Sequence, residues 1–172
     1  MVKAHWALYC ENYLEGFHIP FVHLSLNTVV DYDTYTTEIY SYSNLALGLA
    51  KSGEQTFDLP PSSPDDGKAV AAYYYWIFPN LMFNFYPWGL SVNIVKPINP
   101  QLTRVSFLTY VYDESGIEGW YEIDKVERED EAIVENVQRG IRSRFYDSGR
   151  YSAKMEKGTH HFHRLIAAFM NQ

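Results

Sequence analysis

Between positions 11 and 23 the chain reads ENYLEGFHIPFVH, a stretch that holds two carboxylates, an amide and two imidazoles. Glu15, His18 and His23, joined by the distant carboxylate of Asp130, are the groups an open ferrous site requires. Two neutral imidazoles and one carboxylate on one face of Fe(II) leave coordination positions free for dioxygen and a substrate. Zinc is the chemical competitor, because the same ligand types suit it. His18 and His23 are five residues apart, roughly 140° around a helix, so an unbroken helix could not turn both toward one ion. Gly16 and Pro20 supply the required break, since proline removes a backbone donor and restricts the residue before it. Glu15 and His18, three apart, share a helical face and place the carboxylate where it can accept the outer ring N–H of the imidazole.

Asp130 earns its place from its surroundings. Residues 120 to about 145 carry Val126, Val134, Val137 and Ile141 on one helical stripe, and Asp130 falls near the centre of that stripe. A carboxylate in an apolar stripe must pair with a cation or hold a proton, because a lone buried charge is too costly. The plain alternative has His18 and His23 as polar residues at a helix end, with Asp130 directed past the core to solvent.

The elements that position these groups follow from pattern and punctuation. Residues 4–16 read as a short helix. Residues 26–43, rich in Val, Thr and Tyr, have the composition of one or two strands, and residues 44–51 read as another. The Pro-, Gly- and Ser-rich residues 52–68 form a surface loop. Strand candidates follow at 69–78, 81–86, 90–97 and 102–112, separated by turn residues, and strands this close in sequence pair as an antiparallel meander. A closing helix runs from about 157 to 170. With 172 residues, 47% of them apolar, the chain has material for one core and a single domain over 1–172. Aromatic residues make up 17% of the chain, which favours strands and a ring-lined interior.

A formal charge of −7 gives no reason to expect nucleic acid. No long apolar or basic run suggests a membrane partner, and the first residues lack a signal-peptide core, so a cytoplasmic location is the expectation. Cys10, the only cysteine, excludes an internal disulfide and reads as core packing. His160, His161 and His163 read as a packing and capping run at a helix start. Tyr75, Phe83, Phe85 and Trp88 are candidates for the wall of a substrate cavity. Such a wall suits a planar ring or a quaternary ammonium held by cation–π contacts.

The pattern N-x-x-E-x-x-H-x-x-x-x-H, here Asn12, Glu15, His18 and His23, resembles the iron motif of Rieske-type non-haem iron oxygenases (ring-hydroxylating oxygenase alpha subunits). The later run EDEAIVENVQRGIRSRFYDSGRYSAKMEKGTHHFHRLIA resembles the C-terminal signature of the same catalytic domains. The likeness is strongest to the choline monooxygenase-like subgroup, whose central strands PNLMFNFYPW also resembles. It implies an α+β helix-grip fold of the Bet v 1/START-like kind, an antiparallel sheet wrapped around a long C-terminal helix. It assigns mononuclear Fe(II) to His18, His23 and Asp130, with Asp130 preferred over Glu129 as the second acid of the family's pair. Glu15 is then the acidic bridge through which electrons arrive from a neighbouring subunit's Rieske cluster.

The implied activity is mono- or dioxygenation of an aromatic or quaternary-ammonium small molecule, with O2, a Rieske domain and a reductase or ferredoxin as partners and a homotrimer as the assembly. The family's 2Fe–2S cluster needs C-x-H and C-x-x-H ligands, and neither motif occurs here, so the chain reads as a catalytic domain whose Rieske domain is absent. Turnover by this chain alone is then in question. The alternative from another class is a metal-free small-molecule binding protein of the same helix-grip fold.

Overall fold

The computed structural model describes residues 1–112 and 116–171, with the backbone alone for Tyr32 and residues 116–120. Six strands form one antiparallel sheet in sequence order: β1 (Thr36–Ile39), β2 (Ser43–Leu49), β3 (Val70–Ile77), β4 (Leu81–Tyr86), β5 (Gly89–Asn99) and β6 (Leu102–Val111). Among the described residues, five α-helices accompany it: α1 (Trp6–Tyr13), α2 (Ile19–Val22), α3 (Leu24–Val29), α4 (Gly116–Gly140) and α5 (Lys157–Met170). The helix-grip expectation holds, and the meander is the one the close strand spacing predicts.

One face of the sheet receives α1, α4 and α5. Trp76 of β3 is fully buried there and meets Phe162 of α5 edge-on at 5.3 Å, while Phe162 also meets Trp6 of α1 at 5.6 Å. Such edge-to-face geometry suits the ring quadrupoles and locks α1 and α5 to the sheet. The N-terminus is tied down as well. Val2 bridges Thr103 of β6, and the Gln138 side chain of α4 accepts from the His5 backbone N–H at 2.8 Å.

Register fixes which side chains share this inner face. Tyr74, Asn84 and Ser91 lie side by side across β3, β4 and β5, and Trp76, Met82 and Asn93 form the next row. Tyr75 and Tyr73, paired with Phe83 and Phe85, lie on the opposite face, because successive residues of a strand alternate sides. There the loop of residues 52–68 folds back, with Phe57 against Tyr73 and the Tyr73 hydroxyl donating to Asp65 at 3.1 Å.

Two expectations need correction. Residues 26–43 are not strand throughout: α3 occupies Leu24–Val29 and a 3-10 turn follows at Tyr32–Thr34, so only Thr36–Ile39 and the start of β2 are extended. The α3 segment follows directly on the one-turn α2, and this local continuity overrides the β preference of Thr28 and Val29. The buried stripe of α4 is also rotated. Val134 is buried, but Val137 is 43% exposed, while Glu127 and Gln138 take the inward positions. Polar partners on α1 and β5, rather than apolar matching, set that rotation.

The corrected stripe makes a test. Val134→Ala is expected to cost about 2 kcal/mol through the cavity it leaves. Val137→Ala should stay within about 0.5 kcal/mol, as surface changes do. Urea unfolding followed by circular dichroism separates the two.

Candidate metal centre

The segment after α1 is built to break twice. Leu14 caps α1, the chain turns through residues 15–18, and the single-turn α2 begins with Pro20 in its first turn, where the missing N–H is no loss. His18 is the N-cap of α2 and His23 its C-cap, with His23 at φ −100° and ψ 72°, outside the helical region. The two imidazoles therefore stand at opposite ends of one helical turn, and their rings meet edge-on with centroids 4.9 Å apart.

Asp130, in the middle of α4, lies opposite both. His23 Nε2 is 3.0 Å and His18 Nε2 3.4 Å from the same Oδ1 of Asp130. The outer nitrogens are also occupied: His18 Nδ1 faces Glu15 Oε1 at 2.5 Å, and His23 Nδ1 faces Glu129 Oε2 at 2.8 Å. The Asn12 amide donates to Asp130 Oδ1 at 2.6 Å. Each imidazole is thus clamped on its far side by a carboxylate, which fixes the tautomer that presents Nε2 inward.

This donor set fits one small divalent metal. Two ligands each about 2.1 Å from an ion are about 3.0 Å apart at 90° and about 3.4 Å apart at 109°. The observed Nε2–Oδ1 separations of 3.0 and 3.4 Å have that spacing, and one ligand atom from each of the three residues lies within 4.8 Å of the others. Two imidazoles and a carboxylate suit ferrous iron with open positions. Among the described residues, no other group of three or more His, Cys, Asp or Glu meets this spacing.

The electrostatics agree. Burial alone would depress the His18 imidazolium, but hydrogen bonds and charge from Asp130 and Glu15 outweigh it and bring His18 to about 9. Burial works against the Asp130 carboxylate too, and the two histidines still hold it below the usual carboxylate range. The site is poised for a cation, whether a proton or a metal.

A cavity opens beside these residues. Its walls include Tyr13, Tyr35, Tyr74, Tyr86, Asn84 and Glu127. A second, outer cavity adjoins it through Leu26, Tyr86, Ile123 and Val126 and is lined by Trp88, which stacks on Tyr86 with centroids 4.9 Å apart. Of the expected cavity residues, only Trp88 lines either space. Tyr75, Phe83 and Phe85 line neither, because they sit on the other face of the sheet; their neighbours Tyr74 and Asn84 take the place expected of them. Glu127 is the residue that sequence reasoning missed. It accepts from the Tyr9 hydroxyl at 2.9 Å and from the Asn93 amide at 2.7 Å, and burial and the charge of Asp130 push it up to about 8 against those two hydrogen bonds.

Cys10 is buried as expected. In the α5 histidine run, His163 Nε2 meets Glu11 Oε1 at 2.8 Å and its other nitrogen meets the Tyr151 hydroxyl, so this side chain ties α5 to α1.

Comparison with known proteins shows the family. The family model for the ring hydroxylating alpha subunit (catalytic domain) matches residues 1–172. The chain is 37% identical to the chloroplastic choline monooxygenase of Arabidopsis thaliana, over 96% of this chain and 39% of that protein. It is 29% identical to the carnitine monooxygenase oxygenase subunit of Escherichia coli K12, over 95% of this chain and 46% of that one. A solved quaternary ammonium Rieske monooxygenase superposes with a TM-score of 0.79 at 26% identity, covering 98% of this chain and 48% of its own. The chain spans less than half the length of these relatives. It belongs to the ring-hydroxylating alpha subunit family and matches that family's catalytic domain.

Two measurements probe the centre. His23→Ala is expected to abolish Fe(II) binding, whereas Glu129→Gln, which removes only the outer clamp, should weaken it about tenfold to a hundredfold in equilibrium dialysis. In metal-free protein the pairing of His18 is fully stabilising below its ordinary value of 6.5 and is lost as pH rises through about 9. Thermal melts in chelator should therefore show a fall across that window that His18→Ala flattens.

Proposed function

We propose that this chain is the oxygen-activating half of a Rieske-type monooxygenase that acts on a small quaternary ammonium compound. The observation that carries the reading is the convergence of both histidine Nε2 atoms on one Asp130 oxygen while carboxylates hold both Nδ1 atoms. Bound at these three residues, Fe(II) supplies the redox chemistry that activates dioxygen. His18, His23 and Asp130 would hold it, at the wall of the cavity.

The residues around the centre have separate tasks. Glu15 orients His18, accepts from the backbone N–H of the exposed Phe17, and provides the route by which electrons arrive. Asn12 keeps the Asp130 carboxylate turned inward. The tyrosines of the inner cavity form a ring-faced pocket next to the metal site. Aromatic faces attract a trimethylammonium group, an attraction that grows as water is excluded. This favours an ammonium substrate over a planar arene, which has no use for the carboxyl of Glu127 in the same wall. The relatives named for choline and carnitine point the same way.

The electrons come from a 2Fe–2S cluster that these 172 residues cannot ligate, since Cys10 is their only cysteine. A Rieske domain on a neighbouring subunit, in a homotrimer fed by a reductase or ferredoxin, supplies them. The study of the solved quaternary ammonium monooxygenase describes inter-subunit electron transfer for that protein.

The test is stoichiometric. Iron-loaded protein supplied with a Rieske electron donor is expected to consume one O2 for each choline oxidised, read by an oxygen electrode and by mass spectrometry of the product. O2 consumption independent of choline, or no product with a donor that supports a full-length relative, would contradict the reading.

A further inference from the structure

The inner cavity contains a carboxyl group that the metal centre does not use. Glu127 lies on α4 one turn before Asp130, is 7% exposed, and lines the same space as Tyr13, Tyr74 and Tyr86. Its two oxygens accept from the Tyr9 hydroxyl and the Asn93 amide, so every partner that it has among these hydrogen bonds is neutral. The other acids of this cavity are answered by cations: Asp130 by His18 and His23, and Glu15 by His18. No Lys or Arg stands among the described residues lining either cavity, and the outer one adds two further acids, Glu54 and Glu122.

We propose that Glu127 determines specificity by making the inner cavity select a positively charged head group over a neutral group of the same shape. The proposal rests on the quaternary-ammonium reading above. Burying a carboxyl without a charge partner is costly, and the hydrogen bonds donated by Tyr9 and Asn93 offset only part of that cost. What the carboxyl offers the cavity beyond accepting those two bonds is an answer to a cation. Tyrosine faces attract a trimethylated nitrogen more than its carbon isostere, so the rings supply part of the discrimination. A full opposite charge in a water-poor wall adds to it, because Coulomb attraction grows as the effective dielectric falls.

The groups that face Glu127 are Tyr9 and Tyr13 from α1, Tyr86 from β4, Asn93 from β5, and Asp130 and Glu131 on its own helix. All are neutral or acidic. With the cavity empty, burial and the two acids favour the uncharged carboxyl against the hydrogen bonds from Tyr9 and Asn93, and a permanent cation beside it reverses that preference. The position is therefore tuned to become charged when the right ligand arrives.

The experiment compares choline with 3,3-dimethylbutan-1-ol, which replaces the ammonium nitrogen by carbon and keeps the shape. Calorimetric Kd values are measured on iron-loaded wild type, Glu127→Gln and Glu127→Asp, with anaerobic samples to prevent turnover. Wild type is expected to prefer choline by about tenfold or more. In Glu127→Gln the choline preference should fall by about fivefold or more, to what the rings alone supply, while Glu127→Asp retains it. Equal affinities in wild type overturn the proposal, and that comparison stands even if Glu127→Gln misfolds. A choline preference that survives intact in folded Glu127→Gln overturns it too. If wild type holds iron yet binds neither ligand, the quaternary-ammonium reading fails and this proposal fails with it.

Discussion

The structure turns on a single carboxylate oxygen. Asp130 Oδ1 lies within reach of two imidazoles and an amide, and those three groups come from a stretch more than a hundred residues away in sequence. A charge in the middle of a packed helix is tolerated only when its partners are close and correctly aimed. That condition ties α4 to the turn after α1, and it explains why α2 is one turn long. A longer α2 would carry His23 past the carboxylate, and without α2 His18 and His23 would not stand at its two ends.

Around that point the helices and sheet form a scaffold of neutral polar ties. Gln138 accepts from the N-terminal backbone, Tyr13 donates to Asn84 at 2.8 Å, and Asn93 reaches Glu127. Each tie satisfies a group that burial would otherwise penalise. Together they hold α1, α4 and the sheet at the spacing that brings His18, His23 and Asp130 together, while Trp76 and Phe162 supply the apolar packing. The result is a cavity whose wall is polar toward the metal and aromatic elsewhere, an environment that suits a small charged ligand better than a large hydrophobic one.

Much of this is legible in the amino-acid order. Gly16 and Pro20 announce the break that lets His18 and His23 converge, and Asp130 stands out because it interrupts an apolar stripe. The strands from Val70 onward are marked by their turn residues. Other features are hidden for identifiable reasons. The run of tyrosines and tryptophan from Tyr73 to Trp76 has an aromatic side chain at every position, so alternation cannot tell which members face inward. The readable signal lay in the next two strands, where Asn84, Ser91 and Asn93 place polar groups at alternate positions; buried polar residues on one face mark a site rather than a surface. Along α4, periodicity places Val137 inside, where the structure exposes it, and does not single out Glu127, which hydrogen bonds to Tyr9 and Asn93 hold inward. Tertiary partners of that kind leave no trace in periodicity.

The central claim is that one iron ion sits between His18, His23 and Asp130. Anomalous diffraction at the iron absorption edge, on crystals of the iron-loaded protein, locates the metal without reference to activity. The account predicts a single strong peak within bonding distance of the two Nε2 atoms and of Asp130 Oδ1. A peak at the His160–His163 run instead, or an iron-loaded crystal with no peak between these three side chains, would contradict it.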